Sequence, residues 1–186
     1  LQEAGLPHDV LQIVTGSGEV VGGAISQKCD YLMFTGSTQT GKILGKTVGE
    51  RLVGYSAELG GKNPMIIAPD ADIEKHIDTI ATACFSNSGQ LCVSIERIYV
   101  PESIYDEFLR AFQRATESIV LGKGLNWGYT MGSLIGPEQL DRVQGLVDDA
   151  RAKGATVLTG GKPRPDIGPY HFEPTVLTLS LIHISE

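Results

Sequence analysis

Tyr31-Leu32-Met33-Phe34-Thr35-Gly36-Ser37-Thr38-Gln39-Thr40-Gly41 decides the fold class of this chain. Tyr31 to Thr35 is apolar and aromatic, is bounded by Asp30 and Gly36, and reads as a strand. Beyond it, Thr38 to Arg51 begins a segment whose apolar positions Ile43, Leu44, Val48 and Leu52 recur at helical spacing. Strand, tight Gly-Ser turn and helix in that order form the opening of an α/β unit. A glycine turn leading into a helix also directs unpaired backbone N–H groups and the positive dipole end toward any phosphate placed there. Gly36 and Ser37 supply that turn, and the Ser37 hydroxyl adds a donor. The spacing Gly-Ser-x-x-x-Gly, closing on Gly41, differs from the usual Gly-x-Gly-x-x-Gly dinucleotide fingerprint.

The same alternation extends in both directions. Val10 to Thr15 reads as a short buried strand stopped by Gly16-Ser17-Gly18, and Val20 to Gln27 as a short helix. Tyr55 to Leu59 and Pro64 to Ala68 are further apolar runs of strand length. Asp72 is placed to cap a helix to about Phe85, with Ile73, Ile77, Ile80, Ala81 and Cys84 on one face. Asn87-Ser88-Gly89 breaks that helix ahead of a strand from Arg97 to Val100. Ser103 to Ile119 carries the clearest helical repeat, through Ile104, Phe108, Leu109, Phe112, Ala115 and Ile119. Pro137 opens a last helix to about Lys153, stopped by Gly154. Ala155 to Leu158 and Glu173 to Leu177 read as strands around a turn-rich loop, and Trp127 and Tyr129 as packing anchors in a Gly-rich one. Strands alternating with helices predict an α/β fold with a mainly parallel sheet.

Composition narrows the function. With 186 residues, 41% hydrophobic and 20% charged, the chain is of ordinary globular composition. A net charge of −7 without a Lys/Arg cluster argues against nucleic acid as partner, because neutralising phosphates requires a basic face. No 18-residue apolar run is present, so no membrane-spanning helix is expected. The three cysteines, Cys29, Cys84 and Cys92, are odd in number and lack Cys-x-x-Cys spacing, and the four histidines are scattered. Neither a disulfide framework nor a metal site is expected, and reducing cytoplasm is the simplest compartment. Leu1 in place of Met suggests a start within a longer protein.

Two segments carry candidate chemistry: Tyr55-Ser56-Ala57-Glu58-Leu59-Gly60-Gly61-Lys62-Asn63-Pro64 and Ser86-Asn87-Ser88-Gly89-Gln90-Leu91-Cys92. Cys92 offers a thiol that can attack carbon, and Glu58 a carboxylate that can move protons. Their 34-residue separation exceeds any local helical pairing, so only tertiary structure can relate them. Cys92 follows a small, flexible approach beyond a helix end, whereas Cys84 takes a core-facing helical position and Cys29 lies beside a charged turn. Lys62 reads as a surface residue, Asn63 as a turn residue before Pro64, and Glu96-Arg97 as a structural ion pair or subunit contact.

Glu-Leu-Gly-Gly-Lys-Asn-Pro followed at this distance by Gly-Gln-x-Cys, with Phe34 to Gly41 upstream, resembles the aldehyde dehydrogenase superfamily. The resemblance runs from about Leu6 to Thr178. Ala83 to Asn87 and Val93 to Val100 are most similar to its succinate-semialdehyde branch. It implies a Rossmann-like NAD(P)-binding part over residues 1–59 and an α/β catalytic part over 60–178, both partial and truncated at the chain ends. Residues 179–186 read as a non-family tail, with two readings open: translated non-coding or adapter-derived sequence, and a divergent natural end. It further implies Cys92 as nucleophile, Glu58 as general base, and Gly36, Ser37, Gly41, Leu59 and Gly60 around an NAD or NADP cofactor. A small aldehyde is the implied substrate and a homo-oligomer the implied state of the full-length parent. The family's upstream Asn oxyanion donor, its upstream ribose-binding Lys and its downstream Glu-Ile-Phe-Gly-Pro Glu have no matching position here. Two other readings follow: a non-catalytic fragment of such an enzyme, and a thiol acyl-transfer enzyme that uses no nicotinamide.

Overall fold

The computed structural model describes residues 2–125 and 127–178, so the expected tail over 179–186 lies outside the described residues. The chain divides into two compact units, Leu1–Gly60 and Gly61–Glu186.

The first unit is a β-α-β element preceded by helical turns. Strand β1 (Tyr31–Thr35) runs through the Gly36-Ser37 turn into α2 (Thr38–Glu50) and returns as β2 (Gly54–Glu58). The short α1 (Gly23–Ser26) follows a π-turn over Gly18–Gly22, so the helix expected from Val20 to Gln27 exists in two pieces. Strands β1 and β2 are parallel, from Tyr31 opposite Gly54 to Thr35 opposite Glu58. Gly36 N–H donates to Glu58 O at 3.0 Å, which carries the ladder one step beyond the strand. Leu32 and Val48 are buried between strand and helix.

Two expectations fail in this unit. Val10 to Thr15 is not a strand: Val10 closes a turn by donating to Pro7 O at 3.3 Å, Leu11 to Thr15 have no regular structure, and Val10, Leu11, Ile13 and Val14 are exposed. An apolar run becomes a strand only against a neighbour that accepts its ladder hydrogen bonds, and none of the described strands pairs with it. The inward face of α2 also differs from the apolar spacing. Gly41 and Val48 are buried, whereas Ile43 is 62% exposed. Leu52 lies past the helix end at φ 57° and is 93% exposed. Glycine decides this face: a Cβ on Gly41 would meet Leu59 Cδ2 at 2.6 Å, and one on Gly45 would meet the Tyr55 ring at 3.2 Å.

The second unit contains β3 (Asn63–Ile66), α3 (Ile73–Phe85), β4 (Ile95–Tyr99), α4 (Tyr105–Glu117), α5 (Pro137–Ala152), β5 (Thr156–Thr159) and β6 (Val176–Thr178). Strands β3 and β4 are parallel and β5 and β6 antiparallel, so the mainly parallel expectation holds for two of the three pairs. Asp72 caps α3 by accepting from Lys75 N–H at 3.1 Å. Ile73, Ile77, Ile80 and Ala81 then face Phe108, Ala111, Phe112 and Ala115 of α4 in one core with Ile67 and Val176. Phe112 stacks on Phe108 and Phe85, with ring centroids 5.5 and 6.2 Å apart. Leu134, Val147 and Phe172 form a second cluster beside α5. Trp127 is fully exposed rather than an anchor, while the Tyr129 ring covers Gly122, where any Cβ would collide with it.

Candidate active site

In the first unit the expected cofactor residues gather at the C-terminal end of the parallel pair. Gly36 and Ser37 directly follow β1, and Glu58 ends β2 and is followed directly by Leu59 and Gly60. This is the strand edge at which open α/β sheets bind ligands. Gly36 is needed for space: a Cβ there would approach the Phe34 ring at 2.5 Å. The Ser37 hydroxyl is committed to its own helix, accepting from Thr40 N–H at 3.1 Å and donating to Thr40 Oγ1 at 2.9 Å. The other N–H groups of the first turn have no intrahelical acceptor and present a positive edge that suits a phosphate. Gly41 packs under Leu59, and its carbonyl accepts from Tyr55 Oη at 2.9 Å. This cradle fits a nucleotide phosphate through backbone groups.

In the second unit the thiol sits on a turn held from several directions. Helix α3 ends at Phe85, and Asn87, Ser88 and Gly89 follow with φ of 51°, 58° and 72°. Three successive residues in the left-handed region reverse the chain, at a cost that only neighbouring contacts can offset. Ser88 Oγ donates to Gly132 O at 3.0 Å. Gln90 spans to the same segment: its Nε2 donates to Ser133 O at 3.3 Å and its Oε1 accepts from Ile135 N–H at 2.8 Å. Leu91 to Ser94 then forms a turn closed by Ser94 N–H to Leu91 O at 3.1 Å, with Cys92 at its corner.

Of the three free cysteines, Cys92 is exposed while Cys29 and Cys84 are half-buried. Burial pushes the Cys84 thiol up to about 11, which keeps it protonated and unreactive. Among the described residues, no group of three His, Cys, Asp or Glu side chains is placed to hold a metal. None of the described helices is long and apolar enough to cross a membrane.

Asn63 differs from its expected place in a turn. It belongs to β3 rather than to a turn, and its Nδ2 donates to Cys92 O at 2.6 Å and Ser94 O at 2.9 Å. An Asn inside a strand, a position it seldom takes, was the available signal. Lys62 pairs with Glu96 at 2.8 Å, and Arg97 donates to Lys62 O at 3.0 Å, so Glu96 and Arg97 have separate partners. Glu58 belongs to the first unit and Cys92 to the second.

The sequence pattern of the aldehyde dehydrogenase family matches residues 1–180. The chain belongs to this family. It is 57% identical over 178 residues to a protein of Mycobacterium tuberculosis provisionally named succinate-semialdehyde dehydrogenase [NADP(+)] 2, a match covering 96% of this chain and 34% of that protein. A crystal structure of succinate-semialdehyde dehydrogenase from Burkholderia pseudomallei superposes with TM-score 0.89 at 36% identity, over 95% of this chain and 37% of that one. An NAD+ complex of aldehyde dehydrogenase from Bacillus cereus gives TM-score 0.90 at 35% identity, over 95% and 36%. The chain thus spans about a third of the length of these aldehyde dehydrogenases, and the α/β expectation is met as a part of their fold.

Proposed function

We propose that the enzyme carrying this sequence oxidises an aldehyde to a carboxylic acid with NAD(P)+, with Cys92 as nucleophile and Glu58 as general base. The observation that carries the reading is the exposure of Cys92 on a braced turn, within a chain of this family. The Cys92 thiolate adds to the aldehyde carbon and forms a tetrahedral thiohemiacetal. The backbone N–H of Cys92 serves as a donor to its oxygen. After oxidation the acyl group remains on sulfur as a thioester. Glu58 takes a proton from the water that attacks it, the carbon–sulfur bond breaks, and the acid leaves.

NAD(P)+ supplies the hydride acceptor when bound. Backbone N–H groups at Gly36-Ser37 and the first turn of α2 would hold its phosphates, with Gly41, Leu59 and Gly60 shaping the neighbouring surface. Succinate semialdehyde is the substrate favoured by the relatives' names, and NADP+ by the mycobacterial one. A reducing cytoplasm accords with three free thiols, and a homo-oligomeric whole protein rests on the resemblance alone.

Purified enzyme carrying the sequence is assayed for NAD(P)H formation from succinate semialdehyde and from a panel of uncharged aldehydes. Cys92→Ala is expected to abolish oxidation, and Glu58→Gln to slow release of the acyl group while leaving its formation intact. Full turnover by Cys92→Ala would remove the nucleophile assignment. The 186-residue chain by itself, at a third of its relatives' length, is expected to form little or no NAD(P)H.

A further inference from the structure

We propose that Asn63 is a positioning residue that presents Cys92, a role that rests on Cys92 being the nucleophile. Its side-chain nitrogen carries two hydrogens, and each meets a different carbonyl of the Cys92 turn, Cys92 O at 2.6 Å and Ser94 O at 2.9 Å. These acceptors lie 29 and 31 residues along the chain, so one amide couples β3 to the two carbonyls on either side of Val93. Ser94 is 2% exposed and anchors the turn in the interior, whereas Cys92 stands outside. With the Cys92 carbonyl held, the peptide plane between Cys92 and Val93 is restrained, and with it the backbone from which the Cys92 sulfur projects. An oriented nucleophile reacts faster than a free one because the cost of alignment is met on folding.

Gly61 is part of the same device. A Cβ at that position would approach Asn63 Oδ1 at 2.8 Å and Nδ2 at 3.1 Å. Gly61 therefore leaves the room in which the amide lies. Isosteric replacement of Asn63 by Asp removes both donors and sets a carboxylate against two carbonyl oxygens. A residue that merely filled space would tolerate Asp better than Ala, whereas a double donor tolerates Ala better than Asp, because water can reach the carbonyls after truncation.

The test uses the enzyme carrying this sequence and its Asn63→Ala, Asn63→Ser, Asn63→Asp and Gly61→Ala variants. Hydrogen exchange of the peptide spanning residues 88–95 is measured, together with the pH profile of Cys92 alkylation by iodoacetamide. Cys84, half-buried and protonated, serves as internal control for an intact core. Exchange in 88–95 is expected to accelerate at least ten-fold in Asn63→Ala and further in Asn63→Asp. Asn63→Ser, with one donor, and Gly61→Ala, with a displaced amide, fall between wild type and Asn63→Ala. The alkylation midpoint of Cys92 is expected to rise by about one pH unit in Asn63→Asp alone, since a nearby like charge disfavours thiolate. Unchanged exchange in 88–95 across the Ala and Ser variants, with Cys84 protected, would overturn the proposal. If Asn63→Asp exposes Cys84, the Ala, Ser and Gly61→Ala series decides on exchange alone. Retained oxidation in Cys92→Ala would remove the catalytic reading and leave the exchange result standing, so the two failures are distinct.

Discussion

Gln90 Oε1 accepts the backbone N–H of Ile135 at 2.8 Å, and the same side chain donates through Nε2 to Ser133 O at 3.3 Å. One amide thus bonds a carbonyl and an N–H of a segment more than 40 residues away and ties the approach to Cys92 to it. Gln90→Ala is expected to remove these two bonds and the Nε2 donation to Asn87 O at 3.1 Å, and to cost about 1–2 kcal/mol, the low end for three hydrogen bonds open to water. Urea unfolding followed by tryptophan-independent circular dichroism checks this. A cost under about 0.3 kcal/mol would show that water replaces the side chain fully.

Ser37 has a structural duty that is separable from nucleotide binding. Its hydroxyl caps α2 through Thr40, so Ser37→Ala is expected to cost about 1 kcal/mol of stability. NAD(P)+ affinity in the enzyme carrying the sequence is expected to fall less in Ser37→Ala than in Gly36→Val. The larger side chain at 36 must displace the Phe34 ring and with it the turn. Thermal denaturation and calorimetric titration distinguish the two. Ser37→Ala weaker in binding than Gly36→Val would return the hydroxyl to the phosphate.

Cys84 and Cys92 are expected to differ sharply in reactivity. With its thiol held near 11, Cys84 exists as roughly one thiolate in a thousand at pH 8. Site-resolved mass spectrometry after brief iodoacetamide treatment should show Cys92 labelled at least about 100-fold faster. Equal rates would mean that the α3–α4 core opens.

The same shift has a sign for stability against pH. The Cys84 thiol is raised from 9.0 to about 11 on folding, so in that interval the unfolded chain loses a proton that the folded chain keeps. The native state binds more protons, and stability falls as pH rises. Its contribution is complete below pH 9 and declines toward pH 11. Cys84→Ser is expected to flatten the stability profile over that window, measured by urea midpoints at pH 8 to 11; an unchanged slope would remove Cys84 as its source.

Phe108 is 2% exposed and stacks on Phe112 at 5.5 Å. Phe108→Ala is expected to cost about 3–5 kcal/mol, from lost burial and a residual cavity between α3 and α4. Denaturant unfolding checks this. A loss below about 1 kcal/mol would indicate that the helices collapse into the space.

Helices α3 and α4 are legible in the sequence because each buries its apolar face against the other. Ile73, Ile77, Ile80, Phe108 and Phe112 therefore keep a helical period in the sequence. Val10 to Thr15 was misread because strand identity depends on a ladder partner, which an apolar run cannot reveal about itself. The α2 face was misread because glycines, invisible to hydrophobic spacing, let Tyr55 and Leu59 come close. Asn63 was misread for the same class of reason. Its meaning lies in carbonyls 29 and 31 residues away, and backbone carbonyls carry no side-chain signature.

Composition and periodicity determined the α/β class and the β1-turn-α2 unit, and the motifs that resemble the aldehyde dehydrogenase family single out Cys92 among three cysteines as the expected nucleophile. These follow from local preference and from residue chemistry, both written in consecutive residues. Which helix face packs inward, which apolar run finds a ladder, and how an amide from β3 grips the Cys92 turn were decided only by the tertiary structure. Each depends on groups distant along the chain meeting within hydrogen-bond or van der Waals range, and such proximity is a property of the folded state rather than of any one segment.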